Sequence, residues 1–192
     1  MSTPKILAFA GSTRRGSYNR LLAEVAASGA RAAGAEVTHI DLRDYPLPLF
    51  DEDLEKESGA PEAARRLKEL FLAHDGLLIA SPEYNSSITA VLKNTIDWVS
   101  RAAPGESPLA AYTGKVAAIM SASPGALGGL RGLVHLRSIL GNIGVLVLPE
   151  QVAIPKASGS FDSEGRLKEP QQQANIQRLG EQLVKIVGKL KA

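Results

Sequence analysis

The 192-residue chain predicts an α/β protein, a doubly wound five-stranded parallel sheet with helices on both faces. Short, fully apolar runs recur along it, as strands buried on both sides of a parallel sheet require. Between them lie longer segments whose apolar residues return at helical spacing, so that five strands alternate with five helices. The strand ends carry a third observation: three apolar runs empty into loops rich in small and polar residues, 11–19, 81–87 and 121–129. Sheets of this kind bind ligands beyond the carboxyl ends of their strands, near the point where strand order reverses. There the three loops would lie side by side and share one cleft.

Taken in order, Ile6–Ala10 is the first buried strand, ended by Gly11. Leu21, Leu22, Val25 and Ala26 mark the first helix, and Gly34 breaks it. The stretch 36–42 alternates in character, as an edge strand does. Pro46 and Pro48 keep 45–50 extended, and the acidic stretch 51–59 reads as a surface loop. Leu47, Leu49 and Phe50 beside it imply contact with the domain's own surface or with a partner subunit. Ala63, Leu67, Leu70 and Phe71 give a second helix, stopped by Asp75-Gly76, and Leu77–Ala80 is a buried strand. A third helix runs through Leu92, Ile96 and Val99, followed by a loop at 103–108. Val116–Met120 is the next strand, and Leu130, Leu133, Val134 and Leu140 the next helix. Val145–Leu148 is the last strand. A turn-rich stretch, 157–165, leads to a closing helix through Ile176, Leu179, Leu183, Ile186, Val187 and Leu190. With no repeat or linker, 1–192 reads as a single domain.

Composition excludes several functions. Basic and acidic residues number 22 and 20, giving net charge +2 with no basic block, so nucleic acid is not implied. The absence of cysteine removes disulfides, thiolate catalysis and thiolate metal sites. Three scattered histidines give no metal site. The start, Met1 to Lys5, reads as no signal peptide, and no apolar run nears the roughly 20 residues of a membrane span. A cytoplasmic protein is expected.

The first loop follows a strand and opens a helix, an order that builds an anion pocket from free backbone N–H groups and the helix dipole. Ser12, Ser17 and Asn19 add side-chain donors, and Arg14 or Arg15 a bidentate one. A nucleotide-like phosphate suits it, although neither a Walker A loop nor Gly-x-Gly-x-x-Gly is present. The plainer alternative is a β–α turn with Ser17 as helix cap. In the second loop Pro82-Glu-Tyr-Asn85 offers a fixed kink, an aromatic for a planar ring and backbone donors; alternatively Asn85 or Ser86 caps the next helix. In the third, Gly125, Gly128, Gly129 and Gly132 let backbone approach a flat ligand. Phosphate at one end and a hydrogen-bonding ring at the other describe flavin mononucleotide (FMN).

At Gly11–Asn19, Ser81–Trp98 and Ser121–Gly129 the chain resembles the NADPH-dependent FMN reductase family, which includes chromate, quinone and azo-dye reductases. The resemblance, with the Pro-Leu-Pro-Leu segment, covers most of the first 150 residues. It implies a flavodoxin-like sheet of order 2-1-3-4-5. It also implies that Ser12, Arg14, Ser17, Tyr18 and Asn19 bind the FMN phosphate. By the same resemblance Pro82, Glu83, Tyr84, Asn85 and Ser86 lie along the isoalloxazine, and Ser121, Ser123, Pro124 and Gly125 form a third contact. Lys93, Asn94, Asp97 and Trp98 match a helix signature whose role is structural and interfacial. Thr89 stands where the family usually has Pro, which could shift the start of the third helix.

The implied reaction passes a hydride from NADPH or NADH to flavin N5, and then electrons to quinones, azo compounds, chromate or free flavin. No side chain is assigned as catalytic, and no metal. His39, His74 and His135 read as structural, and Glu83 as a salt bridge to another subunit. Arg15 and Arg101 are expected to attract nucleotide phosphates. Val91, Leu92, Ile96, Trp98 and Val99, then Leu127, Leu130, Leu133, Val134, Leu136, Ile139 and Leu140, make two helices apolar around much of their girth. That implies a homodimer or homotetramer. The competing readings are a flavodoxin-type electron carrier without turnover, whose docking surface is usually acidic, and a non-catalytic phosphate-binding module.

Overall fold

A computed structural model describes residues 2–191; Met1 and Ala192, the ends of the expected domain, lie outside the described residues. The strands are β1 (Lys5–Ala10), β2 (Glu36–Ile40), β3 (Gly76–Ala80), β4 (Val116–Ala122) and β5 (Leu146–Ile154). They form one parallel sheet in the order β2-β1-β3-β4-β5, the order expected. Successive residues of a strand face opposite sides. Ile6, Ala8 and Ala10 therefore pack on one core with Leu78, Ala118 and Met120, while Leu7 and Phe9 join Leu77, Ile79 and Ile119 in the other.

Helices α1 (Tyr18–Ala32) and α6 (Pro170–Leu190) cover the first face. They cross where each carries a glycine. A Cβ on Gly29 would stand 2.1 Å from the Gln177 carbonyl oxygen, and one on Gly180 2.1 Å from that of Ala26. The second face is covered by α3 (Glu62–Ala73), α4 (Ala90–Ser100) and α5 (Leu130–Asn142).

Three expectations are corrected. The acidic stretch is not a loop: Glu52–Ser58 forms a short helix, α2. Asp51 caps it by accepting from the N–H groups of Asp53 and Leu54, Glu52, Asp53 and Glu55 favour the first turn, and Gly59 at φ +73° ends it. It buries no residue, so no apolar period announces it. The last strand runs on from Leu146 to Ile154. Its register against β4 slips by two residues between Ala117↔Val147 and Ile119↔Gln151, and this bulge on an edge strand accommodates Pro149.

Lastly, α4 does not keep a spare apolar face. Leu92, Ile96, Trp98 and Val99 are all buried within the chain. The extended 46–50 segment is strapped across the helix. Asn94 Nδ2 (2.8 Å) and Trp98 Nε1 (2.9 Å) both donate to the Pro48 carbonyl, and Phe50 N–H donates to Asn94 Oδ1 (2.8 Å). Phe50 meets the Trp98 ring edge-on at 5.0 Å. The signature residues Asn94 and Trp98 thus bind the chain's own surface, as does Lys93 through its i,i+4 pair with Asp97.

Candidate cofactor site

The sheet's order reverses between β1 and β3, and the loops leaving β1, β3 and β4 meet there. They line one cleft of about 250 Å³, formed by Ser12, Arg14, Ser17, Tyr18, Asn19, Pro82, Glu83, Tyr84, Ala122, Ser123 and Pro124. The convergence expected from the sequence is what the fold produces.

One end of the cleft is built by the first loop. Ser17 occupies the N-cap position of α1, yet its hydroxyl caps nothing, so the plain helix-cap reading fails. The Arg20 N–H turns back to the Ser17 carbonyl (3.1 Å), while those of Tyr18 and Asn19 are without a partner among the described residues, at a helix end where the dipole favours an anion. Ser12 and Ser17 are nearly buried there, and the Arg14 guanidinium sits 4.9 Å from the Tyr18 ring centre. Tyr18 itself stacks on Phe161, with ring centres 6.0 Å apart and 5° between planes.

Asn19 acts differently from the donor expected of it. Its Nδ2 donates to the Ala122 carbonyl (2.8 Å) and its Oδ1 accepts from the Ala122 N–H (2.9 Å). The pair mimics a strand contact and fastens the first loop to the third. Two further bonds complete a frame. Thr89 donates from Oγ1 to the Gly11 carbonyl (2.6 Å), fastening the second loop to the first. Glu83 takes Arg131 Nε (2.9 Å) and Nη2 (2.7 Å) on one oxygen and the Gly132 N–H (3.1 Å) on the other, fastening the second loop to the start of α5. Since α5 has no capping side chain of its own, Glu83 serves that role from a distance. Burial pushes the Glu83 carboxyl up, but the Arg131 guanidinium and the Gly132 N–H outweigh it and hold the group below its ordinary value.

Several expected residues stand elsewhere. The salt bridge of Glu83 is made inside the chain, not to another subunit. Ser121 is fully buried because β4 continues two residues past Met120; alternation turns it from the cleft toward Gly129 and gives the cleft Ala122 instead. Its hydroxyl finds no hydrogen-bond partner among the described residues. Asn85 and Ser86 lie outside the cleft lining. They form the tip of a tight turn at φ +50° and +68°, closed by reciprocal Tyr84–Ser87 bonds of 2.9 and 3.0 Å. Neither caps α4; Thr89 does, accepting from Leu92 N–H at 3.2 Å. Gly125 is exposed beside the cleft, where its carbonyl accepts from Lys156 N–H.

Of the two arginines expected to attract nucleotides, Arg15 is exposed on the first loop but outside the lining, and Arg101 is remote. Arg101 caps the far end of α4, paired with Glu55 at 2.7 Å and lying over the Phe50 ring. The histidines stand outside the cleft lining: His39 meets Glu24 (2.6 Å), His135 meets Ser87 Oγ (2.9 Å), and His74 bridges the Leu70 carbonyl and Thr38 Oγ1. Thr89 and Ala122 are site-forming residues that sequence reasoning missed. Thr89 had a signal, a threonine three residues before Leu92 at the head of a periodic apolar run. Ala122 had none, because it contributes only its backbone.

A 2-1-3-4-5 parallel sheet with a cleft at its switch point defines a flavodoxin-like protein. Residues 4–159 match the family described as NADPH-dependent FMN reductase. An NAD(P)H-dependent FMN reductase of Pseudomonas aeruginosa is 40% identical, over 91% of this chain and 90% of that one. A quinone reductase of Escherichia coli is 36% identical, over 75% of this chain and 73% of the other. Among solved structures, the flavoenzyme NAD(P)H:(acceptor) oxidoreductase FerB from Paracoccus denitrificans superposes with a TM-score of 0.80. It is 26% identical and covers 97% of this chain and 98% of its own. The chain belongs to the NADPH-dependent FMN reductase family.

Proposed function

We propose that this chain is an FMN-dependent NAD(P)H oxidoreductase that passes electrons to quinones or related acceptors, acting in the cytoplasm as one domain. The observation that carries the reading is the shared cleft, with an uncapped helix N-terminus and two nearly buried serines at one end and the Pro82–Tyr84 and Ser123–Pro124 segments at the other. These groups fit FMN: donors without a carboxylate suit its phosphate, and a kinked aromatic segment suits its ring.

When bound, FMN supplies the redox chemistry, accepting a hydride from a nicotinamide and releasing electrons to an acceptor. The chain's own residues bind and orient. Ser12, Ser17, Arg14 and the first turn of α1 hold the phosphate end. Tyr84, more than half exposed, borders the open side where nicotinamide and acceptor would enter in turn. The loop frame made by Asn19, Thr89 and Glu83 keeps these groups in place before the ligand arrives, which lowers the cost of ordering them. No proton-transferring side chain is required.

A flavodoxin-type carrier is not favoured, because the relatives carry reductase names. Purified protein loaded with FMN should retain the yellow chromophore through gel filtration and oxidise NADH or NADPH steadily with a benzoquinone. Retention of FMN without sustained oxidation would return the carrier reading, and failure to retain it would end the assignment of the cleft. A second copy of the chain is the partner we assign to the outward apolar residues Leu127, just before α5, and Leu130 and Val134 on it.

A further inference from the structure

Thr89 is 2% exposed and holds both ends of one short path. Its hydroxyl oxygen accepts from the Leu92 N–H at 3.2 Å and its proton goes to the Gly11 carbonyl at 2.6 Å. The Gly11 carbonyl and the Ser12 N–H belong to one peptide unit, planar and trans, so they point in opposite directions. Fixing the carbonyl on the α4 side therefore turns the Ser12 N–H the other way. Ser12 lines the cleft, and among the described residues its N–H finds no acceptor. The approach is close: a Cβ on Gly11 would stand 2.8 Å from Leu92 Cβ, so Gly11 packs directly on the head of α4.

We infer that Thr89 is a positioning residue that aims the Ser12 N–H at the phosphate of the bound flavin. It acts through the Gly11–Ser12 peptide and touches no ligand itself. A proline at this position could not make the bond, having no side-chain donor. The inference rests on the assignment of the cleft to FMN and adds to it which group orients the phosphate end.

The test compares FMN with riboflavin, which carries the same ring and no phosphate, binding both to the apoprotein by fluorescence quenching. Wild type, T89V, which keeps the shape and loses the donor, and T89S, which keeps the donor, are compared, with a melting curve for each. T89A replaces T89V should the latter not fold. The expected result is a loss of FMN affinity of about tenfold in T89V, the scale of one misdirected hydrogen bond to a charged acceptor. Riboflavin affinity should be unchanged, and FMN affinity restored in T89S. If T89V weakens both flavins equally, or neither, Thr89 does not act through the phosphate and the inference fails, while the assignment of the cleft stands. If wild type binds neither flavin, the assignment itself falls and the inference with it.

Discussion

At the scale of single residues, the loops of the cleft are held by side chains that bond to the backbone of neighbouring loops. Asn19 satisfies both the N–H and the carbonyl of Ala122 in a nearly dry setting. Asn19→Ala would strand two backbone groups, each costing about 1–3 kcal/mol when buried and unmade. We expect a Tm lowered by several degrees together with weaker FMN binding, measured by calorimetry and fluorescence quenching. Glu83 adds a pH signature. Its carboxyl is held below its unfolded value, so its stabilising contribution is complete above the unfolded carboxylate range. That contribution is lost as pH falls through the lower folded value. Denaturant titrations of wild type and Glu83→Gln should therefore differ at neutral pH and begin to converge only as pH falls below the ordinary glutamate value of about 4.3; curves that stay parallel would sever the link to Arg131. The loop residues were legible in the sequence as types, because serine, arginine and asparagine after a buried strand have few other uses. Their partners were not: that Glu83 meets Arg131 and Gly132, forty-eight and forty-nine residues on, follows only from how α5 returns to the sheet.

At the scale of elements, the buried strands and amphipathic helices were readable because burial on two faces or on one leaves a period in the apolar residues. Helix α2 was not, since it buries nothing and is held by its Asp51 cap and by the Glu55–Arg101 pair. The far half of β5 was hidden by Pro149, which reads as a stop until the bulge gives it an edge position. The 46–50 strap was read as apolar and in contact with something, but the sequence did not name α4. Asn94→Ala removes two of its bonds and should cost about 1–2 kcal/mol. Protease nicking near residues 46–59 should then rise while FMN affinity stays the same. On the other face, α1 and α6 approach as closely as they do because Gly29 and Gly180 have no side chains. Gly180→Ala should force them apart at a cost of about 1–3 kcal/mol, read as a lower denaturation midpoint with an unchanged flavin spectrum.

At the scale of the whole molecule, the surface says what the chain meets. Among the described residues no helix is long and apolar enough to cross a membrane. The apolar girth expected on two helices survives on one: α4 spends its own on the strap, while Leu127, just before α5, and Leu130 and Val134 on it are between 43% and 58% exposed. A face of that kind on a helix that also caps the cofactor loops is suited to a second copy of the chain. Light scattering at micromolar concentration should report a dimer or larger, and Val134→Glu should shift it to monomer; a wild-type monomer would leave the face without an occupant.

The three fastenings around the cleft share one property. Each seizes a main-chain atom, of Ala122, Gly11 or Gly132, and so makes no call on the side chains of Tyr84, Ser123 or Pro124 at the cleft. Drift can then rewrite the rim, exchanging one acceptor preference for another, without first having to rebuild the hinge points beneath it. Such a chassis tolerates experiment at its mouth, which is a physical reason for one architecture to serve oxidants of many shapes.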